Sequence, residues 1–384
     1  MKDISIFFKP IVTSDFDKEK IGNTIISHTE FDFPTIEKNS IAIFYCPEFR
    51  NGYPESQGKS DDRFRFQFYH LCKNLNWNKE IYDLGNLLPG QSVEDTYFAL
   101  KNVIDFLVKL NCIPIIIGGT HDLILPIYQG YESLEQTLNI VSVDYQTNFG
   151  DMEAELSKNN FLNHLLTYQP CYLFNYSVLG LQVPYLKSLE IDLFEKLYFD
   201  YLRLGEFNTD FRKAEPFIRN ADILTFNLES IKSAEYKAEN CVNPNGFYAE
   251  QACQISKYAG ISDKLSCFSI LNVIPDGQNY SSHELIAQMM WYFIDGVSER
   301  KGDFPIGTKK EYTKFIVHLE AFKDELVFFK SNKSQRWWME VPHPSAIDKR
   351  YQRHYLVPCN LEDYELALKN ELPDLWWRTY QKLK

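Results

Sequence analysis

The chain has 384 residues, 45% hydrophobic and 15% aromatic, which is enough apolar surface for a large core and too much for an intrinsically disordered protein. A formal charge of −12 argues against nucleic acid as a partner, because affinity for a phosphate backbone rests on clustered Lys and Arg. No run of about 18 apolar residues occurs, so membrane insertion is not expected, and Met1–Thr13 lacks the apolar run and cleavage site of an export signal.

Between Ile41 and Ile274, strand-like apolar runs alternate with helix-like segments, the pattern of a mainly parallel sheet between two helical layers. Ile41–Tyr45 reads as the first strand, and the polar Arg50–Arg63 stretch as a long loop. Ser92 with Asp95 predicts a capping box for a helix ending near Asn111, followed by a buried strand, Ile113–Ile117, closed by Gly118-Gly119. Asn139–Tyr145, Leu173–Leu181, Leu197–Leu204, Asp222–Leu228 and Leu265–Ile274 are further strands. Phe161–Tyr168, Phe247–Ala259 and His283–Phe293 carry helical spacing. His121, Asp144, Asn227 and Asn272 fall just past or near strand ends, where ligands gather in such sheets.

After Val297 the rhythm changes. Lys314–His318, Leu326–Lys330 and Trp337–Val341 read as strands, with a polar turn at Ser331–Arg336 that suggests a hairpin, and Tyr364–Leu368 and Leu375–Leu383 as helices. Arg300–Lys384 holds 16 basic and 12 acidic residues, a balance of +4 that leaves −16 for the rest. Residues 1–299 are therefore expected as an α/β domain, with 300–384 a C-terminal extension packed on it. The pairs Trp337-Trp338 and Trp376-Trp377 are expected in its core. Eight cysteines lie far apart without a C-x-x-C pair, as expected of reduced thiols in a cytoplasmic protein.

Three segments carry a specific resemblance: Gly118-Gly119-Thr120-His121, then Asp144-Tyr145-Gln146-Thr147-Asn148, then Thr225-Phe226-Asn227-Leu228-Glu229. They are similar, in order and context, to the Gly-Gly-Asp-His, Asp-Ala-His-x-Asp and Ser-x-Asp-x-Asp signatures of the ureohydrolase family of arginase, agmatinase and formimidoylglutamase. Pro47-Glu48-Phe49-Arg50-Asn51-Gly52 and Pro244-Asn245-Gly246-Phe247 extend the likeness, which spans Ile41–Gly296. It implies the three-layer α/β/α arginase-like fold.

The family's chemistry implies two divalent ions, usually manganese, held by two histidines and four aspartates. Carried over position by position, His121 and Asp144 remain, while Gln146, Asn148, Asn227 and Glu229 replace the other ligands. Two carboxylates against four positive charges make a binuclear centre unfavourable. No metal, cofactor-binding or catalytic residues are therefore expected. The exception is a reduced site in which His121, Asp144 and Glu229 hold one ion. The family's later His-Gly loop has no counterpart, since the nearest histidine, His164, reads as a helix-packing or surface residue, and Asn272-Val273-Ile274-Pro275 replaces its Glu-x-x-Pro.

The expected function is that of a pseudoenzyme, a cytoplasmic interaction or assembly module with a protein partner and, by resemblance, self-association into a homo-oligomer. The alternative is a formimidoylglutamase-like hydrolase of linear amidines or guanidines, with manganese as its cofactor. A third reading, a sensor, keeps the cleft as a binding site for a cationic ligand at Asp144 and Glu229.

Overall fold

The structure, a computed structural model, describes residues 3–59, 62–151, 153–238, 241, 243–274, 280–305, 309–320, 325–342 and 349–384. The main sheet contains β1 (Phe8–Lys9), β2 (Ile26–Ser27), β3 (Ile41–Cys46), β4 (Ile81–Leu87), β5 (Ile113–Gly118), β6 (Leu138–Val143), β7 (Leu173–Leu181), β8 (Asp200–Arg203), β9 (Ile223–Asn227) and β10 (Cys267–Leu271). Their order is β1-β4-β3-β5-β10-β9-β6-β7-β8, with β2 also on β4, and every pairing is parallel except β1 with β4.

Alternation along the strands builds two cores. Ile41, Ile43 and Tyr45 of β3 face one side, where they join Phe64 and Phe68 of α1 (Arg63–His70). Ala42, Phe44 and Cys46 face the other, with Leu100 and Ile104 of α2 (Val93–Lys109) and Ile127 of α3 (Ile124–Gln129). Both faces are thus buried, as parallel strands require, and each fully buried Phe or Ile contributes on the order of 2 kcal/mol. The second layer continues with α4 (Phe161–Thr167) and α5 (Ser188–Lys196). Short helices α6 (Leu204–Thr209) and α7 (Glu215–Asn220), then α8 (Ala249–Ile261) and α9 (Tyr280–Ser298), complete the first. The capping box opens α2 as the sequence predicts: Asp95 N–H donates to Ser92 Oγ at 3.1 Å, and Ser92 N–H to Asp95 Oδ2 at 2.9 Å.

Two expected strands are shorter than their apolar runs. Leu197 caps α5 and Tyr198 takes φ +56°, so β8 starts only at Asp200; β10 stops at Leu271 because Asn272 takes φ +59°. Several elements have no sequence forecast, among them β1 and β2, which precede the expected first strand, and β4 and α1. β4 contains Asp83, Gly85 and Asn86, and its polarity is absorbed by Arg65 Nε and Tyr69 Oη, which donate to Asp83 Oδ2 at 2.8 and 2.9 Å. α1, with its alternating Phe residues, supplies both donors.

The C-terminal elements form a separate antiparallel sheet, β11 (Tyr312–His318), β12 (Glu325–Ser331), β13 (Trp337–Glu340) and β14 (Leu356–Cys359), in that order. The expected hairpin is β12–β13, closed by Ser331 N–H to Arg336 O at 2.9 Å. α10 (Leu361–Leu368) and α11 (Asp374–Leu383) pack on it around Trp337 and Trp376. Trp338 is 1% exposed and Trp377 is 44% exposed, so three of the four tryptophans are core. Arg219 of α7 fastens this sheet to the main one: its Nη1 donates to Trp337 O at 3.0 Å and its Nη2 to Cys359 O at 3.1 Å. Among the described residues no helix is long and apolar enough to cross a membrane.

Candidate functional site

The three signature segments meet at the carboxyl edge of the main sheet, on β5, β6 and β9. After β5 the chain reverses tightly over its neighbour. Gly118 has φ +151°, and a Cβ there would stand 2.3 Å from Cys46 O; at Gly119 it would stand 2.2 Å from Glu48 O. Glycine is required at both positions for this approach. The turn buries His121 completely. Its backbone N–H donates to Asn272 Oδ1 at 3.1 Å, Nε2 lies 3.1 Å from Thr225 Oγ1, and its ring packs on Phe161 with centroids 4.7 Å apart. Nδ1 lies 3.0 Å from Asp144 Oδ2, an ion-pair distance whose direction is off the hydrogen-bonding line.

Asp144 is equally buried, and both of its oxygens are engaged. Oδ1 accepts from the N–H groups of Tyr145 and Gln146 at 2.7 and 3.3 Å, and Oδ2 from Asn148 Nδ2 at 2.8 Å. Gln146 Nε2 in turn donates to Asn148 Oδ1 at 3.0 Å. Asn148 sits at φ +59°, a left-handed conformation that asparagine tolerates. Across the cleft Asn227 Oδ1 accepts from Glu229 N–H at 2.9 Å and from Asn272 Nδ2 at 2.8 Å. Asn272 therefore bridges the first and third segments, accepting from His121 and donating to Asn227.

Glu229 turns away from this network to Lys158, whose Nζ lies 2.8 Å from Glu229 Oε1 and 3.9 Å from the centre of the Tyr53 ring, and also bonds Tyr53 Oη. Burial pushes the Lys158 ammonium down to about 8, against the pull of Asp144 and Asp122, and burial pushes the Glu229 carboxyl up to about 7. These residues, with Tyr145, Tyr185, Cys241 and Asn243, line a cavity of about 280 Å³. The structure thus joins His121, Asp144, Gln146 and Asn148 in one cluster, links Asn227 to it through Asn272, and pairs Glu229 separately with Lys158. Among the described residues no three His, Cys, Asp or Glu side chains gather closely enough to hold a metal ion.

The early loop is also fixed from within. Buried Glu48 accepts from Arg50 Nε and Thr96 Oγ1, both at 2.8 Å. Asn51 Nδ2 donates to Tyr97 Oη at 2.7 Å, and that hydroxyl donates to Asp122, whose carboxyl burial pushes up. His164 is half-buried on α4, outside the cleft, and its Nε2 has no hydrogen-bond partner. Of the segment 272–275, Pro275 lies outside the described residues. Lys158 is the residue that sequence reasoning misses. Its signal is electrostatic: a carboxylate buried as Glu229 is calls for a cation beside it.

No protein-family model matches the chain, and no curated protein matches it. Solved structures do. A formiminoglutamase from Trypanosoma cruzi, determined with manganese, is 16% identical over 74% of this chain and all of its own, with a TM-score of 0.64. Formimidoylglutamase from Bacillus subtilis is 13% identical over 77% of this chain and 98% of that one, at 0.63. Agmatine ureohydrolase from Thermoplasma volcanium is 14% identical over 74% and 96%, at 0.57. At such identities it is architecture that is shared. The chain has the arginase-like α/β/α fold of the ureohydrolases, extended by a C-terminal antiparallel sheet.

Proposed function

We propose that this chain is a noncatalytic ureohydrolase-like protein, a pseudoenzyme that serves as an interaction or assembly module. The observation that carries this reading is the Lys158–Glu229 pair inside the carboxyl-edge cleft. The T. cruzi formiminoglutamase is described with manganese. By resemblance the same edge of this chain is where such ions would sit, and the donor set found there does not fit them. Both Asp144 oxygens and Asn227 Oδ1 already accept from protein donors, Glu229 is taken by an ammonium, and Asn148 and Asn272 contribute amide N–H groups. A dication beside Lys158 would add unpaired buried charge, at several kcal/mol per ion, and amides are weak ligands for manganese. A chain-borne cation replaces the inorganic ones, and no hydrolytic step is assigned.

In this reading residues 300–384 are the added module. Ile316, Leu361, Leu368 and Trp377 are exposed there, which suits a protein partner or a second copy of the chain. Six of the eight cysteines are buried as single thiols, in keeping with a reducing, cytoplasmic setting.

The test is purification in manganese followed by elemental analysis, and assays on formiminoglutamate, agmatine and arginine. The expected result is substoichiometric metal and no release of ammonia, formamide or urea. Stoichiometric manganese with turnover of any of the three would overturn the proposal in favour of a formimidoylglutamase-like C–N hydrolase, the reading to which the retained His121–Asp144 pair belongs.

A further inference from the structure

We propose that the amino edge of the main sheet carries a second ligand site, completed by the C-terminal elements, that binds a small organic cation with an apolar body: an alkylamine or arylalkylamine. The inference is independent of the carboxyl-edge cleft. A cavity of about 490 Å³ lies between the first residues of β6, β7 and β8 with α7 on one side, and β14, α10 and α11 on the other. That volume is within the range of small-molecule sites. Val141, Leu202, Phe217, Val357 and Leu366 give it apolar walls.

Two polar features define the occupant. Asn139 lines the cavity and is 2% exposed; its Nδ2 donates to Asn220 O at 2.9 Å, but its Oδ1 accepts no hydrogen bond. A buried acceptor without a donor is costly, and a donor-bearing ligand removes that cost. The second feature is an excess of negative charge. Five carboxylates line the cavity against the single ammonium of Lys213. Lys382 holds Asp200 at 3.3 Å, Arg378 holds Asp374 at 2.6 Å, and Glu206 caps α6 by accepting from Arg203 N–H. Asp363 caps α10 by accepting from Asn360 N–H at 2.8 Å and Glu362 stands next to it in the first turn; burial, with a smaller push from Glu362, raises the Asp363 carboxyl. An ammonium group offers the charge that relieves this pair and the N–H that Asn139 lacks, while the apolar walls take its carbon body. An anion would be repelled, and a neutral alcohol would bring a donor without the charge.

The full chain is titrated calorimetrically with phenethylamine and hexylamine, and with phenethyl alcohol as the neutral counterpart. Saturable binding of the amines is expected, with the alcohol weaker by about tenfold or more. Glu362→Gln, at an exposed position, is expected to weaken amine binding by about tenfold, and Leu366→Trp, which fills the cavity, to abolish it. Absence of saturable amine binding, equal affinity for the alcohol, or unchanged binding in both variants would each overturn the proposal. The wild-type titration decides the first two outcomes whether or not a variant folds.

Discussion

At the carboxyl edge of the main sheet Lys158 reaches Glu229 at 2.8 Å in a cleft lined by tyrosines, whereas at the amino edge Lys382 meets Asp200 and Lys264 meets Asp222 beneath the C-terminal elements. Desolvation acts on both edges alike, lowering Lys158 to about 8 and Lys264 to about 7. Their surroundings differ. The cleft lysine sits over the Tyr53 ring and pairs with Glu229. The amino-edge cations belong to a larger set, in which Arg353 also pairs with Asp222 and Arg219 holds two carbonyls of the second sheet. Buried positive charge compensates Glu229 at one edge and fastens two sheets together at the other.

The largest expected effect lies at the fastening edge. Arg219 is 4% exposed, pairs with Glu215 at 3.0 Å, and stacks 4.4 Å from the Trp338 ring centre while donating to Trp337 O and Cys359 O. Arg219→Ala strands two buried carbonyls and leaves Glu215 with Arg336 alone, at 3.3 Å, so a loss of about 3–5 kcal/mol, most of it from the carbonyls, is expected in urea denaturation. Limited proteolysis should then release the C-terminal elements first. A loss under about 1 kcal/mol would show that the two sheets are held by apolar contact alone.

The cleft should respond less, and in a way that can be reversed. Lys158→Met leaves Glu229 buried without its cation, at an expected cost of about 2–3 kcal/mol, reduced from the fully buried case because the cleft opens to solvent. Adding Glu229→Gln removes the orphaned charge, so the double variant should recover most of that loss. Additive losses in the double-mutant cycle would contradict a compensating pair.

These contrasts also explain what could be read from the sequence. Residues whose conformation is dictated locally were legible: Gly118-Gly119 closing an apolar run, Ser92 and Asp95 capping α2, and Asp144 ending β6. Residues whose role depends on a distant partner were not. Asp83 makes β4 look like a loop until Arg65 and Tyr69 arrive from α1, and Lys158 sits in a polar loop 71 residues before Glu229. The motif positions located the cleft, but only the folded chain brings its cation to it. The same holds for the amino edge, where β14 and Asp222 lie far apart in sequence.

The smallest effect separates the edges by pH. Lys264 has a side chain only 1% exposed, donates to Asn220 Oδ1 at 2.9 Å, and faces Asp222 at 3.6 Å, with Arg353 and His354 near enough to feel its charge. Burial lowers it from 10.5 to about 7. Between those values the unfolded chain binds a proton that the folded chain does not, so stability rises with pH across the window and the contribution is lost as pH falls through about 7. His354 is held well below its usual 6.5 by burial, Lys264 and Arg353, and its own contribution is lost only on acidification below that value. Lys158 and Glu229 titrate in the same range, so between about pH 7 and 8.5 it is the difference between the wild type and Lys264→Met that isolates this lysine. The wild type should gain about 1–2 kcal/mol over Lys264→Met in that interval, less than the full linkage slope because the fold relaxes around a buried charge. Parallel curves for the two proteins would mean that Asp222 and solvent keep Lys264 protonated, and that the amino edge is fastened by a charged lysine after all.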